Sequence, residues 1–257
     1  MKKTIITLFA LCGAASATTT DATLVWDLSF NAKNQAVVTN GSGDDYSSLT
    51  ITMNGSTVTD GICATPADNR VTITDSAATL RMMDSFSFVV QGGADVAVSN
   101  WGVLFGLGED NIWNIKVANN TSGNLTLLEE SYSISDKVGS TATPYGSMGT
   151  YIVTVDNGGK TQAQASTSAL TLYYNGVEVA TGTLGAANCT AQPLDTFALG
   201  GRNRETSNAT DFSFTNVQLY SGVLSATQIS QLSVPEPTTA TLSLLALAGL
   251  AARRRRR

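Results

Sequence analysis

The sequence predicts an all-β sandwich with one short helix near its C-terminal end. Three observations support this class: short runs of alternating apolar and other residues, turn dipeptides between them, and a composition rich in Thr, Ser, Asn, Gly and Val. Without its two ends, the chain keeps a body of about 210 residues, which suits a single domain.

Strands are predicted first in the N-terminal half of the body. Each run there alternates or becomes fully apolar, and Asn54-Gly55 provides a strong turn signal between two of them. The large apolar residues of these runs are assigned to the core, namely Trp26, Phe86, Phe88 and Phe105. The predicted strands cover residues 24–30, 49–53, 71–73, 86–90 and 101–108.

The C-terminal half predicts further strands and the helix. A hairpin is evident where Asn175-Gly176 separates two alternating runs. Ser225 and Gln228 have capping-box spacing, so a short helix should begin there and end before Pro235. The predicted strands cover residues 113–117, 125–128, 151–155, 170–174, 177–179, 197–201 and 212–220.

The N-terminal residues 1–17 have the three parts of a secretory signal peptide. Lys2 and Lys3 give a positive start, an apolar run follows over 5–11, and small residues occupy 15–17. Cleavage is expected after Ala17. The alternative is a buried N-terminal helix.

The C-terminal residues combine a proline-rich motif, a short apolar run and an arginine cluster. Val234-Pro235-Glu236-Pro237 precedes an apolar run over 242–252, and Arg253–Arg257 follow. A helix over 238–252 would be about 22 Å long, which is shorter than the roughly 30 Å hydrocarbon core of a bilayer. The arginines favour the cytoplasmic side. An ordinary tail anchor is the alternative to a sorting signal.

This tail, residues 234–257, resembles the PEP-CTERM domain in all of its parts. The resemblance implies recognition by an exosortase-type enzyme of Gram-negative bacteria, with cleavage near Pro235-Glu236-Pro237. It also implies transient anchoring in the inner membrane through a short C-terminal hydrophobic helix. The body would then lie in the cell envelope, on the cell surface or outside the cell.

Charge and composition limit the function of the body. Between Asp21 and Glu236, eight basic and 20 acidic residues give a net charge of −12. Nucleic-acid binding and attraction to anionic lipid are therefore disfavoured. The chain has no histidine, which excludes Ser-His-Asp and Cys-His nucleophilic sites and imidazole zinc ligands.

Two cysteines belong to the body, because Cys12 leaves with the signal peptide. In an oxidising compartment, the even count predicts a Cys63–Cys189 disulfide. The alternative is two separate, small buried residues.

Three stretches of the body, taken as residues 21–233, resemble the LamG-like jelly rolls of the concanavalin A-like lectin and glucanase group. They are residues 150–156 followed by 170–179, residues 197–201, and residues 212–220 followed by 223–229. The resemblance implies a jelly-roll β-sandwich whose relatives bind or hydrolyse carbohydrates.

The best candidate for a sugar-binding platform is Trp113, which has Glu109, Asp110 and Asn111 close by in sequence. An exposed ring with planar polar neighbours is what sugar recognition requires. Arg202 and Asn203 follow Gly200-Gly201 and are candidates for a polar rim. The alternatives are a core position for Trp113 and an ion-paired surface loop for Arg202 and Asn203.

Metal binding and hydrolysis have weaker signals. Asp44-Asp45, in a Gly-Ser loop, are candidate oxygen ligands for calcium, and a solvated turn is the alternative. No other cofactor is expected. Glycoside hydrolases of this fold need carboxylates that alternate on one strand, whereas Glu109-Asp110 and Glu129-Glu130 are adjacent. Adjacent acids point to opposite faces of a strand.

Two functions remain from these observations. The first is an exported, non-enzymatic, lectin-like module that binds a glycan or extracellular polysaccharide. The second is a non-catalytic structural component of extracellular matrix or cell surface. A glycoside hydrolase is the third, disfavoured by the missing carboxylate pattern.

Overall fold

The computed structural model describes residues 21–66, 69–77, 79–98, 102–109, 113–119, 121–129, 142–161, 167–185, 196–201 and 210–233. The predicted signal peptide with its cleavage site after Ala17, Cys189, and the predicted hydrophobic helix of the tail lie outside these ranges. No helix within them is long and apolar enough to cross a membrane.

Within the described residues, fifteen strands and one α-helix form, and the alternating patterns predict twelve of these strands and the helix. The strands are β1 (Thr23–Phe30), β2 (Ala36–Asn40), β3 (Leu49–Thr52), β4 (Thr57–Thr59), β5 (Ile62–Thr65), β6 (Val71–Asp75), β7 (Ser85–Ala94), β8 (Val103–Glu109), β9 (Trp113–Asn119), β10 (Leu125–Glu129), β11 (Gly149–Asp156), β12 (Thr167–Tyr174), β13 (Val177–Gly185), β14 (Thr196–Leu199) and β15 (Phe212–Ser221). A 3-10 turn covers Thr79–Met82, and helix α1 covers Ala226–Ser233. Strands β2, β4 and β5 were not predicted.

The strands form two antiparallel sheets, and the predicted β-sandwich is confirmed. One sheet has the order β13-β12-β11-β7-β15-β1-β2, with β5 beside β15 and β4 beside β5. The other has the order β10-β9-β8-β14-β6-β3. We call the end where β8 and β11 finish, at Glu109 and Asp156, the hairpin end, after the antiparallel pair β8–β9. The opposite end, where β11 begins at Gly149, is the exit end. The β12–β13 hairpin lies at the exit end.

Aromatic side chains join the two sheets. Phe88 of β7 stacks on Phe197 of β14, with ring centroids 4.9 Å apart and planes within 5°. Trp26 meets the edge of Phe197 at 5.5 Å. All three rings are fully buried, and Phe86 and Phe105 are also buried in this core. The predicted core positions are therefore confirmed.

Local sequence signals explain two further elements. Asn175 and Gly176 have φ values of 49° and 80°, the left-handed region that a two-residue hairpin turn requires. At the start of α1, the Gln228 amide donates to Ser225 Oγ at 3.3 Å, and the Ser225 amide donates to Gln228 Oε1 at 3.0 Å. The predicted hairpin and capping box are both confirmed.

Helix α1 packs on the outer face of the larger sheet. Ile229 is buried there against Val89 and Ile152. Gln228 also ties the helix to the start of the described chain, since its Nε2 donates to the carbonyl of Ala22 at 2.8 Å. Because this contact joins residues far apart in sequence, it fixes both ends of the domain on one surface.

Cys63 is a free thiol, fully buried in the core, which corrects the predicted Cys63–Cys189 disulfide. It lies on β5, opposite Phe214 of β15 and Val58 of β4. Its neighbours in the core are apolar. The compartment and the even cysteine count show only that a bond is chemically possible, and Cys189 itself lies outside the described residues.

We expect Cys63 to resist thiol reagents in the folded protein and to react once the protein is unfolded. Burial raises its pKa to about 12, and the thiolate is the reactive form. Timed labelling with a chromogenic disulfide reagent, with and without denaturant, measures this. Cys63→Ala is the control that should remove one labelled thiol. A chain that shows no thiol when unfolded without reductant would contradict the free state.

Candidate functional site

The predicted aromatic platform lies at the hairpin end. Trp113 begins β9 and is the direct cross-strand partner of Glu109, the last residue of β8. The predicted start of a strand at Trp113 is confirmed, and Glu109, one residue beyond the predicted strand 101–108, ends β8. Asp110 and Asn111 lie outside the described residues. The fold thus brings an aromatic and an acidic position together at the ends of two paired strands.

The segment that leads to Arg202 and Asn203 starts at the other end of the sandwich. The Gly200 amide donates to the carbonyl of Leu104 at 2.7 Å, near the beginning of β8. Glu109 is five residues further along that strand, about 17 Å at 3.4 Å per residue. Arg202 and Asn203 themselves lie outside the described residues. The structure does not bring the start of their loop to the Trp113 hairpin.

A groove of about 360 Å³ lies at the hairpin end of the larger sheet. Its walls carry the carboxylate of Asp156, the ammonium of Lys160, and the hydroxyls of Thr167 and Thr183. The Gly158 amide donates to Asp156 Oδ1 at 2.9 Å and orients that carboxylate. Ligand pockets are commonly about 300–1,000 Å³, so the groove has room for one sugar unit. Sequence reasoning missed it because strands β11, β12 and β13 contribute to it jointly.

A cluster of polar side chains that sequence reasoning did not identify lies on the outer face of the larger sheet. Asp27 accepts hydrogen bonds from Asn216 Nδ2 and from Gln218 Nε2, the latter at 2.9 Å. The Tyr220 hydroxyl donates to Gln218 Oε1 at 3.2 Å. Burial, with the nearby Asp27 charge, raises the pKa of Tyr220 to about 12. Polar residues alternating with buried ones in β1 and β15 were the available signal.

The calcium candidates, Asp44 and Asp45, are exposed in the turn after β2. Asn40 Oδ1 accepts the amides of Ser42 at 2.9 Å and Asp44 at 3.0 Å, which closes the turn without a cation. Within the part of the chain that is described, no group of three or more Asp, Glu, Cys or His residues could hold a metal ion.

Known structures share this sandwich. Domain 4 of AbnA, a GH43 extracellular arabinanase from Geobacillus stearothermophilus in complex with arabinotriose, has 20% identity and a TM-score of 0.62, covering 84% of this chain and all of that domain. The Trypanosoma rangeli sialidase, in complex with 2,3-difluorosialic acid, has 14% identity and a TM-score of 0.61, covering 84% of this chain and 33% of the sialidase. At these identities the similarity shows the fold. No curated protein matches the chain.

Two antiparallel sheets packed around an aromatic core define a jelly-roll sandwich of the lectin and glucanase type. The chain belongs to the Concanavalin A-like lectin/glucanases superfamily, whose family profile matches residues 65–230. Residues 233–257 match the PEP-CTERM protein-sorting motif. That motif marks an exported protein sorted to the cell envelope of a Gram-negative bacterium. Both family resemblances seen in the sequence are therefore confirmed.

Proposed function

We propose that this chain is an exported glycan-binding module without catalytic activity, and that it recognises its ligand at the hairpin end of the sandwich. The chain's superfamily includes lectins and glucanases. The similar domain 4 of AbnA was determined in complex with arabinotriose. This relationship supports a saccharide as the class of ligand, and the residues of this chain must supply the site.

The observation that carries the proposal is the cross-strand pair of Trp113 and Glu109. An aromatic ring offers an apolar face to a sugar ring, and a carboxylate accepts hydrogen bonds from sugar hydroxyls. The groove that holds Asp156 and Lys160 opens at the same end of the sandwich. Paired strands that end next to loops are a favourable scaffold for recognition.

The absence of catalysis is proposed from the sequence. There is no histidine to activate a nucleophile. No strand carries the Glu-x-Asp-x-Glu pattern that would set two carboxylates about 5 Å apart for a retaining mechanism. Release of reducing sugars from a polysaccharide panel would contradict this part of the proposal.

Trp113→Ala should weaken glycan binding by about 1–3 kcal/mol, the value of burying a large apolar side chain. This corresponds to a roughly 5- to 150-fold higher Kd. A glycan array with and without calcium identifies the ligand, and calorimetric titration then measures the change.

Tyr145→Ala is the matched control, because Tyr145 is an exposed aromatic residue at the opposite end. It should leave binding unchanged. If Trp113→Ala lowers the melting temperature sharply, Trp113 is a core residue and the site proposal fails. If the wild-type chain binds no glycan, a structural role in matrix or cell surface becomes the better explanation.

We also propose that an exosortase-type enzyme cleaves the tail near Pro235-Glu236-Pro237, after transient anchoring in the inner membrane. The mass of the mature protein isolated from the cell envelope should then correspond to loss of the residues after about Pro237, as the sorting-motif match suggests. Intact-mass spectrometry is the measurement. A mature species that retains Arg253–Arg257 would show that the tail is not processed.

A further inference from the structure

The folded body ends where the sorting motif begins, and the contacts of α1 determine the place. Thr150 Oγ1, at the start of β11, donates to the carbonyl of Leu232 at 3.2 Å. Ser233 packs so closely on the β12–β13 turn that a Cβ added to Gly176 would lie 3.2 Å from the serine Cβ. The matched motif starts at residue 233. The matched motif therefore begins at the exit end, directly after the last contacts of α1.

Exposed apolar side chains are concentrated at this same end. Among the described residues, seven large apolar side chains are exposed, and five of them belong to the exit end. We call these five the exit surface: Ile62, Val96, Tyr145, Met148 and Val177. Tyr145 is 60% exposed and Val177 63%. The other two, Met82 and Val223, flank the start of β7 and the end of β15 at the hairpin end.

The five residues are connected by the fold. Tyr145 forms a bridge with Ala94 at the end of β7, and Val96 follows two residues later. Met148 and Ile62 line one shallow cleft on the outer face of the sheet. Val177 begins β13, directly after the turn on which Ser233 packs. The exit surface thus lies beside the point where the tail departs.

The chain between Ser233 and the apolar run of the tail limits how far the exit surface can lie from the membrane. Ser233 and Leu242, where the apolar run starts, are nine residue steps apart, and extended chain spans about 3.5 Å per step, or roughly 32 Å in all. Pro235 and Pro237 restrict this segment further. The ten-residue strand β15 is about 34 Å long at 3.4 Å per residue. Because the connection is no longer than the sandwich itself, a tail held in the membrane keeps the exit end near the bilayer.

We propose that the exit surface docks on the lipid surface of the inner membrane while the tail is anchored there. This inference rests on the proposed anchoring role of the tail. Tyrosine and aliphatic side chains at a membrane interface bury apolar area while the tyrosine hydroxyl remains hydrated. The contact is apolar rather than electrostatic, because a body with a net negative charge is not attracted to anionic lipid. Docking in this orientation directs the hairpin end, with Trp113, away from the membrane.

The test uses the chain with its tail in phosphatidylcholine vesicles that carry a doxyl-labelled acyl chain, which quenches nearby tryptophan. Tyr145→Trp and Val177→Trp place a reporter on the exit surface. Met82→Trp and Val223→Trp are the matched controls at the hairpin end. The parent chain corrects for its own tryptophans, and thermal unfolding confirms that each variant is folded. We expect the two exit-surface reporters to lose fluorescence and the two controls to keep it.

Quenching should persist at high salt, because the contact is apolar. In chains that float with the vesicles, equal quenching at both ends, or no quenching at the exit surface, would overturn the docking proposal alone. A chain that does not float would overturn the anchoring tail and the docking surface together. Neither result bears on glycan binding, which the Trp113→Ala experiment tests separately.

Discussion

Phe88→Ala is expected to lower the free energy of unfolding by about 3–5 kcal/mol, the usual cost of removing a buried phenylalanine ring. Phe88 is fully buried and stacks on Phe197 of the opposite sheet with centroids 4.9 Å apart. It also contacts Trp26 and Phe105 at centroid distances of 6.3 Å and 6.0 Å. The truncation opens a cavity at the centre of the sandwich, where neighbours from both sheets cannot move in without losing their own contacts.

Equilibrium unfolding in urea measures this change, with the slope of the transition as a check that unfolding remains two-state. Phe30→Ala is the matched control, since Phe30 is only half-buried at the edge of the core and contacts Phe214 alone among the aromatic rings. It should cost clearly less. An equal loss for both variants would mean that the stack is not the centre of stability.

Gly200→Ala is expected to destabilise the domain by about 2–5 kcal/mol, from two independent causes. The φ of Gly200 is +81°, where a Cβ costs roughly 1–2 kcal/mol. That Cβ would also clash with Thr65 Oγ1, and this hydroxyl is held in place by its hydrogen bond to the carbonyl of Phe212. Overpacking of this kind typically costs about 1–3 kcal/mol more.

Gly43→Ala separates the two causes. Gly43 has a similar φ of +85°, but nothing lies within 4 Å of an added Cβ. It should cost only the conformational part, about 1–2 kcal/mol. Urea unfolding of both variants provides the comparison. If Gly200→Ala were no worse than Gly43→Ala, Thr65 would have to move aside freely.

The two ends of the sandwich carry different surfaces, so the two proposals together define an orientation of the protein relative to the membrane. The hairpin end holds the Trp113 position at the start of β9 and the Asp156–Lys160 groove. The exit end releases the tail beside apolar side chains. If both proposals hold, the ligand site faces outward during sorting, and cleavage of the tail frees the exit surface.

The sequence alone determined the local structure and the class of protein. Alternation with a period of two identifies strands and the face that each one buries, which is why Trp26, Phe88 and Phe105 were recognisable as core. Asn175-Gly176 and the Ser225–Gln228 pair encode their turn and cap within a few residues. The sorting motif is contiguous, so it needed no fold to be read.

Only the tertiary structure decided which distant segments meet. It left Cys63 unpaired among apolar neighbours, brought Asp27 to Gln218 across 191 positions, and set Glu109 opposite Trp113 while Gly200 lies near the other end of β8. Alternation specifies a face but not a partner strand. The partner is chosen by the packing of both sheets around the shared aromatic core, a property of the whole domain that no single stretch of sequence contains.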